Sequence, residues 1–189
     1  MGNYLMLLEA DRSILVIIDV QKKLMPVVHL NNELIEQILI LQKSANQLDI
    51  PIIITEQYPK GLGGTVDLII STANSSNIIL SKLTFSAMGE ESFKKTLHEL
   101  HATGRDQVIV CGAEAHVCVM QTAVDCLQEN YNVFPVMDAV GSRSPNNKQA
   151  GLSRMESCGA QCVTSEMVIF EWLKIAGTSD FKVLSMLIK

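Results

Sequence analysis

Hydrophobic positions along the chain alternate between two periods. Residues 13–19 carry an unbroken apolar run, Ile14-Leu15-Val16-Ile17-Ile18, closed by the carboxylate of Asp19. An apolar run of strand length, rich in β-branched residues, predicts a parallel strand covered on both faces. Residues 31–48 follow with helical spacing: Leu34, Ile35, Ile38, Leu41, Ala45 and Leu48 fall on one stripe. Pro51 precedes a second strand, 52–55. Residues 56–64 read as a loop punctuated by Pro59, Gly61, Gly63 and Gly64. The alternation continues with strand 77–82, helix 90–100, strand 107–112 and helix 117–129. It ends with strand 132–138, helix 146–157, a short sixth strand 160–164 and helix 165–174.

Strands alternating with helices predict βαβ units. Right-handed crossovers place the helices on both faces of one sheet. The expected fold is therefore α/β: a three-layer, doubly wound, Rossmann-like domain on a six-stranded parallel sheet. One domain is expected over residues 1–189, with a core at about 13–174 and a tail at 177–189. The tail carries Phe181, Leu184, Leu187 and Ile188, and reads either as a packing helix or as an oligomer arm.

Composition narrows the class. With 48% hydrophobic and 19% charged residues the chain is not a disordered one. A net charge of -5 without a basic tract argues against nucleic acid and anionic membranes as partners. No run of about 18 apolar residues predicts a membrane span, and no cationic stretch before an apolar one predicts a secretory leader. The five cysteines (Cys111, Cys118, Cys126, Cys158 and Cys162) form no C-x-x-C pair. That excludes a zinc ribbon or thioredoxin motif and makes a reducing cytoplasm the simplest compartment.

Ligands of open parallel sheets bind at the carboxyl ends of the strands. Asp19, the segment Thr55-Glu56-Gln57-Tyr58, Lys82, the turn Gly112 to Cys118, and Asp138 all fall there. Cys118 follows a strand and a tight turn at a predicted helix start, where the dipole and free N–H groups favour a thiolate. Lys82 nearby would lower the thiol pKa further. Asp19 would oppose thiolate formation but accept the thiol proton. Each residue also has a structural reading: Cys118 as a small buried residue, Lys82 as a solvated edge charge, Asp19 as a turn or cap. For Asp138 a turn-capping role is preferred. His98 and His101 lack the H-E-x-x-H zinc spacing, so no metal is expected. Gly61-Leu62-Gly63-Gly64 lacks the P-loop Lys-Ser/Thr, so neither a nucleotide nor any other cofactor is expected. His116 lies two residues before Cys118, and a Cys–His dyad is not the preferred arrangement.

Three segments together resemble the isochorismatase-like cysteine hydrolases. They are Leu15-Val16-Ile17-Ile18-Asp19-Val20-Gln21, Leu80-Ser81-Lys82 with Phe85-Ser86-Ala87, and Gly112-Ala113-Glu114-Ala115-His116-Val117-Cys118-Val119 with Gln121-Thr122-Ala123. Their order and spacing extend the resemblance from about Ser13 to Trp172. The loop Thr55 to Gly63, with Ser142-Arg143-Ser144 and Thr164-Ser165-Glu166, is similar to the isochorismatase domain-containing protein 2 subgroup. The resemblance implies a catalytic triad of Asp19, Lys82 and Cys118, and an oxyanion hole from the backbone N–H groups of Glu114 and Cys118. It also implies a non-proline cis peptide near Ala113-Glu114, and self-association. Glu56, Gln57 and Tyr58 stand where nicotinamidases of the superfamily carry histidine metal ligands, so zinc and nicotinamide are disfavoured. The presence of Cys118 disfavours isochorismate cleavage.

The expected function is a hydrolase of a small amide-type C–N bond acting through a Cys118 thioester. Gln57 and Tyr58 are expected to line the substrate pocket. The alternatives are a non-catalytic small-molecule-binding or thiol redox-sensing module on the same site, or a scaffold with a vestigial one.

Overall fold

The computed structural model describes residues 6–188; the leader expectation, which concerns the first residues, falls partly outside them. Five strands form one parallel sheet in the order β3-β2-β1-β4-β5. They are β1 (Ser13–Ile18), β2 (Ile52–Gln57), β3 (Ile78–Lys82), β4 (Gln107–Ala113) and β5 (Asn132–Gly141). Every residue of the central strands β1 and β4 is buried, as their uninterrupted apolar runs require.

Alternate residues of β1, β2, β4 and β5 feed opposite cores. Leu15, Ile17, Ile52, Ile54, Ile109 and Phe134 join α1 (Asn31–Gln47) and α7 (Ser165–Leu173) on one face. Ile14, Val16, Ile18, Ile53, Val108 and Val110 join α4 (Glu91–His101), α5 (Met120–Gln128) and α6 (Pro145–Ser157) on the other. Each such fully buried aliphatic side chain contributes roughly 1.5–3 kcal/mol relative to its exposed state. The expected loop 56–64 gives its first two residues to β2 and holds one short helix, α2 (Pro59–Leu62); a second, α3 (Asp67–Thr72), follows it. The tail forms α8 (Ser179–Leu184), which packs against α7 and fully buries Leu184.

The sixth strand needs correction. Residues 160–164 meet β5 only through the single parallel bridge Val136–Val163, so the sheet has five strands. Gln161 N–H donates to Val133 O, Val163 N–H to Pro135 O, and Met137 N–H to Val163 O. The next rung would run from residue 135 to the Gln161 carbonyl, and Pro135 has no N–H to supply it.

β5 is itself irregular. Between the pairs Val110–Pro135 and Gly112–Val140, β4 advances two residues and β5 five. Asp138 lies in the extra segment. Its carboxylate accepts the Ser165 N–H at 2.9 Å and the Ser165 hydroxyl at 2.6 Å, which anchors the start of α7. Asp138 is thus a structural anchor for α7 from within β5, not a cap of a turn at the strand end.

Candidate active site

The parallel register brings the strand ends to one rim. Asp19 follows β1 with a left-handed backbone (φ 52°), a conformation uncommon outside glycine. One carboxylate oxygen, Oδ1, accepts the Thr55 hydroxyl at 2.7 Å. The other, Oδ2, lies 2.7 Å from Lys82 Nζ and accepts no other hydrogen bond among the described residues. The two charged side chains are 0% and 2% exposed. At this burial an unpaired charge would cost several kcal/mol, so each requires the other.

Lys82 ends β3. Besides Asp19, its ammonium donates to Gln57 Oε1 at 2.6 Å, Phe85 O at 3.1 Å and Thr84 O at 3.2 Å. The carbonyl cradle is fixed from behind by Glu90, whose Oε1 accepts Leu83 N–H at 2.7 Å and Thr84 N–H at 3.0 Å. Those two backbone bonds, Thr84 first, hold the Glu90 carboxyl below its usual pKa.

Cys118 sits in a single π-helical turn, Ala115–Val119, that runs into α5. The expected helix start at 117 is thus a wider turn, closed by Val119 N–H onto Glu114 O at 3.3 Å. The charges of both Asp19 and Lys82 act on the thiol. Its pKa is pushed up to about 12, first by burial and then by the Asp19 charge, with Lys82 pulling the other way. This revises the expected helix-start thiolate: in the resting site the sulfur holds its proton.

The Ala113–Glu114 peptide bond is cis. The N–H of Glu114 makes no hydrogen bond among the described residues, and its carbonyl accepts from Val117 and Val119. The Glu114 carboxylate, nearly buried, accepts the Arg143 main-chain N–H at 2.9 Å and its Nε at 3.1 Å. Burial raises the Glu114 pKa, but the bonds and charge of Arg143 outweigh it and hold the carboxyl below its usual value. His116 Nδ1 faces Ser142 Oγ at 3.1 Å and Nε2 faces Asn147 Nδ2 at 3.3 Å, so the ring is engaged away from the sulfur.

Gln57 is half-buried, with Oε1 on Lys82 and Nε2 donating to Leu83 O at 2.8 Å. Tyr58 is 52% exposed, and its ring lies against Gly61, where a Cβ would come within 2.4 Å. Sequence reasoning assigned no role to Gln21, the second polar residue of the D-x-Q motif. Gln21 Oε1 accepts Gln57 N–H at 2.8 Å, and its Nε2 donates to Gln57 O at 3.0 Å and Gly63 O at 2.6 Å. Nor did it assign Thr55, Glu90 or the Glu114 carboxylate. Thr55 and Glu114 stand near strand ends and Glu90 at a helix start, but which groups they bind appears only in the folded chain. A cleft of 440 Å³ between the starts of α1 and α6 is lined by His29, Glu33, Asp138 and Lys148, and by none of Asp19, Lys82 and Cys118. Among the described residues no three His, Cys, Asp or Glu side chains converge to hold a metal.

Fold and site together define the class, a doubly wound α/β domain whose strand ends deliver an acid, an ammonium and a thiol to one point. Comparison with known proteins supplies the family. The isochorismatase domain model matches residues 13–167, and the chain belongs to that family, as a hydrolase of the isochorismatase-like superfamily. It is 35% identical to isochorismatase family protein 1A of Dictyostelium discoideum over 93% of this chain and 85% of that protein. Isochorismatase domain-containing protein 2A of Mus musculus is 34% identical, over 95% of this chain and 84% of that protein, in line with the type 2 subgroup. Among solved structures, the MAR1 ribonuclease of Caenorhabditis elegans superposes with a TM-score of 0.90 at 36% identity, covering 97% and 92% of the two chains. YcaC from Pseudomonas aeruginosa, solved with covalent acrylamide, gives 0.86 at 26% identity, covering 94% and 89%.

Proposed function

We propose that the protein is a cysteine hydrolase that cleaves a small amide-type C–N bond, with Asp19, Lys82 and Cys118 as its catalytic triad. The observation that carries this reading is the buried Asp19–Lys82 pair at 2.7 Å, whose two charges both act on the Cys118 thiol. A thiol pushed up to about 12 favours attack coupled to proton transfer over a preformed thiolate. The Cys118 proton passes to Asp19 as sulfur bonds to the carbonyl carbon, and Lys82 stabilises the charge on sulfur. The backbone N–H groups of Glu114 and Cys118 hold the oxyanion. Collapse breaks the C–N bond, and Asp19 returns the proton to the departing amine. Water then gives a proton to Asp19 and its oxygen to the thioester, which releases the acid and restores the thiol.

Gln57 Oε1 on Lys82 and the Tyr58 N–H on the Lys82 carbonyl support both residues as neighbours of the substrate. Exposed Leu83 and Phe85, on the loop after Lys82, are apolar surface that a second copy would cover, which supports a homo-oligomer. The covalent acrylamide of the YcaC relative supports a nucleophile that accepts small amide-bearing electrophiles. The C. elegans relative is described as a ribonuclease, but a net charge of -5 without a basic tract favours a small substrate here. A redox-sensing thiol needs exposure and a low pKa, and Cys118 has neither. Five free cysteines fit a reducing, cytoplasmic setting. No helix among the described residues is long and apolar enough to cross a membrane.

The test is turnover of a panel of small amides, followed by amine release. Cys118→Ala should fall to the uncatalysed rate while its unfolding midpoint stays within a few degrees of wild type. An active Cys118→Ala protein would remove the mechanism.

A further inference from the structure

The Lys82 ammonium has three N–H bonds and four oxygen neighbours: Gln57 Oε1 at 2.6 Å, Asp19 Oδ2 at 2.7 Å, Phe85 O at 3.1 Å and Thr84 O at 3.2 Å. The Cys118 sulfur must therefore compete for a share of those protons. Of the four oxygens, Asp19 is charged and cannot be given up without stranding a buried carboxylate. The two carbonyls are fixed by the Glu90-held turn. Gln57 is the neutral, side-chain acceptor that remains.

The orientation of the Gln57 amide is over-determined. Lys82 has only donors, so it requires the amide oxygen; Leu83 O has only lone pairs, so it requires the amide nitrogen. The main chain of Gln57 is clamped on both sides by the Gln21 amide, which also grips Gly63 in the following loop. Both ends of the Gln57 side chain are thus spent inside the protein.

We propose that Gln57 is a positioning residue that holds one Lys82 N–H in the resting site, and that Lys82 transfers this hydrogen bond from Gln57 Oε1 to the Cys118 sulfur as the thiolate develops. The proposal rests on the triad reading above and deepens it. No covalent bond changes in the exchange: the thiol proton goes to Asp19, and the ammonium keeps all three of its protons. A neutral acceptor suits the role, because it holds the ammonium loosely enough to release it. A carboxylate at the same place would retain it.

The experiment follows Cys118 alkylation by iodoacetamide against pH, read by peptide mass spectrometry. It uses wild type, Gln57→Met, Gln57→Asn and Gln57→Glu, each first shown to unfold cooperatively. Gln57→Met keeps the shape and removes the acceptor, and Gln57→Asn keeps an amide too short to reach. Both free an N–H for sulfur, so the thiol pKa should drop by about one unit, with alkylation about tenfold faster in the neutral range. Gln57→Glu should shift the other way by a similar factor. On an amide that wild type hydrolyses, all three variants should change kcat more than KM. Opposite shifts for Met and Glu are the signature, because mere damage to the fold moves all variants in one direction. Identical shifts, or an unchanged profile with raised KM, would overturn the positioning role and leave Gln57 as a substrate contact. A Cys118 whose alkylation does not respond to Lys82→Met would instead overturn the triad itself.

Discussion

Gly112 lies flat against Ile18: a Cβ at Gly112 would stand 2.0 Å from the Ile18 carbonyl oxygen and 2.7 Å from its nitrogen. Gly112 also has a φ of 112°, which side chains rarely adopt. Ile18 directly precedes Asp19, and Gly112 leads into the turn that carries Glu114 and Cys118. The close approach of two backbones thus sets the distance between acid and nucleophile. Gly112→Ala should cost about 3 kcal/mol or more, since the contact is backbone that cannot move aside. Urea unfolding followed by Trp172 fluorescence gives the number. A loss under about 1 kcal/mol would mean that the strands separate easily.

The buried ion pair makes a second prediction. Lys82→Met leaves Asp19 charged and without a counter-ion, at a cost of about 3–5 kcal/mol. Asp19→Asn with Lys82→Met removes both charges and should recover most of that loss. A double-mutant cycle measures the coupling, and simple additivity of the two substitutions would show that the pair is not a unit.

Because burial and Asp19 favour the protonated thiol, Cys118 alkylation should still be climbing at pH 10, where an ordinary cysteine of pKa about 8.5 has levelled off. Lys82 is the group that lowers this pKa, so Lys82→Met should slow alkylation further throughout the range up to pH 10. A plateau below pH 8 in wild type would mean that the thiolate is preformed.

Glu114 carries an acid dependence. Its folded pKa lies below the ordinary value, so the unfolded chain binds its proton more tightly. The stability from the Arg143 contacts is therefore complete above about pH 4.3 and is lost as pH falls through the folded value. Glu114→Gln should lower the melting temperature at pH 7 and converge on wild type in acid. Parallel melting curves across that range would show that Arg143 contributes nothing through this charge.

The interrupted sheet edge is testable at one amide. Pro135→Val supplies the N–H that the Gln161 carbonyl lacks and should extend pairing between β5 and residues 160–164. Hydrogen exchange at the new amide reads this directly: protection signals a rung, and exchange at the intrinsic rate signals that something other than proline keeps the segment apart.

Much of the fold was legible because its signal is local. β1 and β4 are buried on both faces, and after Ser13 and Gln107 their sequences are apolar at every step rather than at alternate ones. The stripe of Leu34, Ile35, Ile38, Leu41 and Ala45 is the buried face of α1. α3 was missed because its six residues bury only Ile69, too little for a period to show. The sixth strand was over-read because residues 160–164 look like a strand, whereas its ladder depended on one N–H in β5.

Taken alone, the sequence determined the alternation of strands and helices, the rim on which chemistry belongs, and the identity of Asp19, Lys82 and Cys118 as its candidates. These depend on residue type and on spacing within single elements. The tertiary structure decided what those residues experience. It showed that Asp19 and Lys82 are sealed together, that the Cys118 thiol is pushed up rather than down, and that the Gln57 amide is spent on Lys82. Burial and hydrogen-bond partners come from elements tens of residues apart, and the sign of a pKa shift depends on the balance of desolvation against neighbouring charge. That balance exists only once the strands have met.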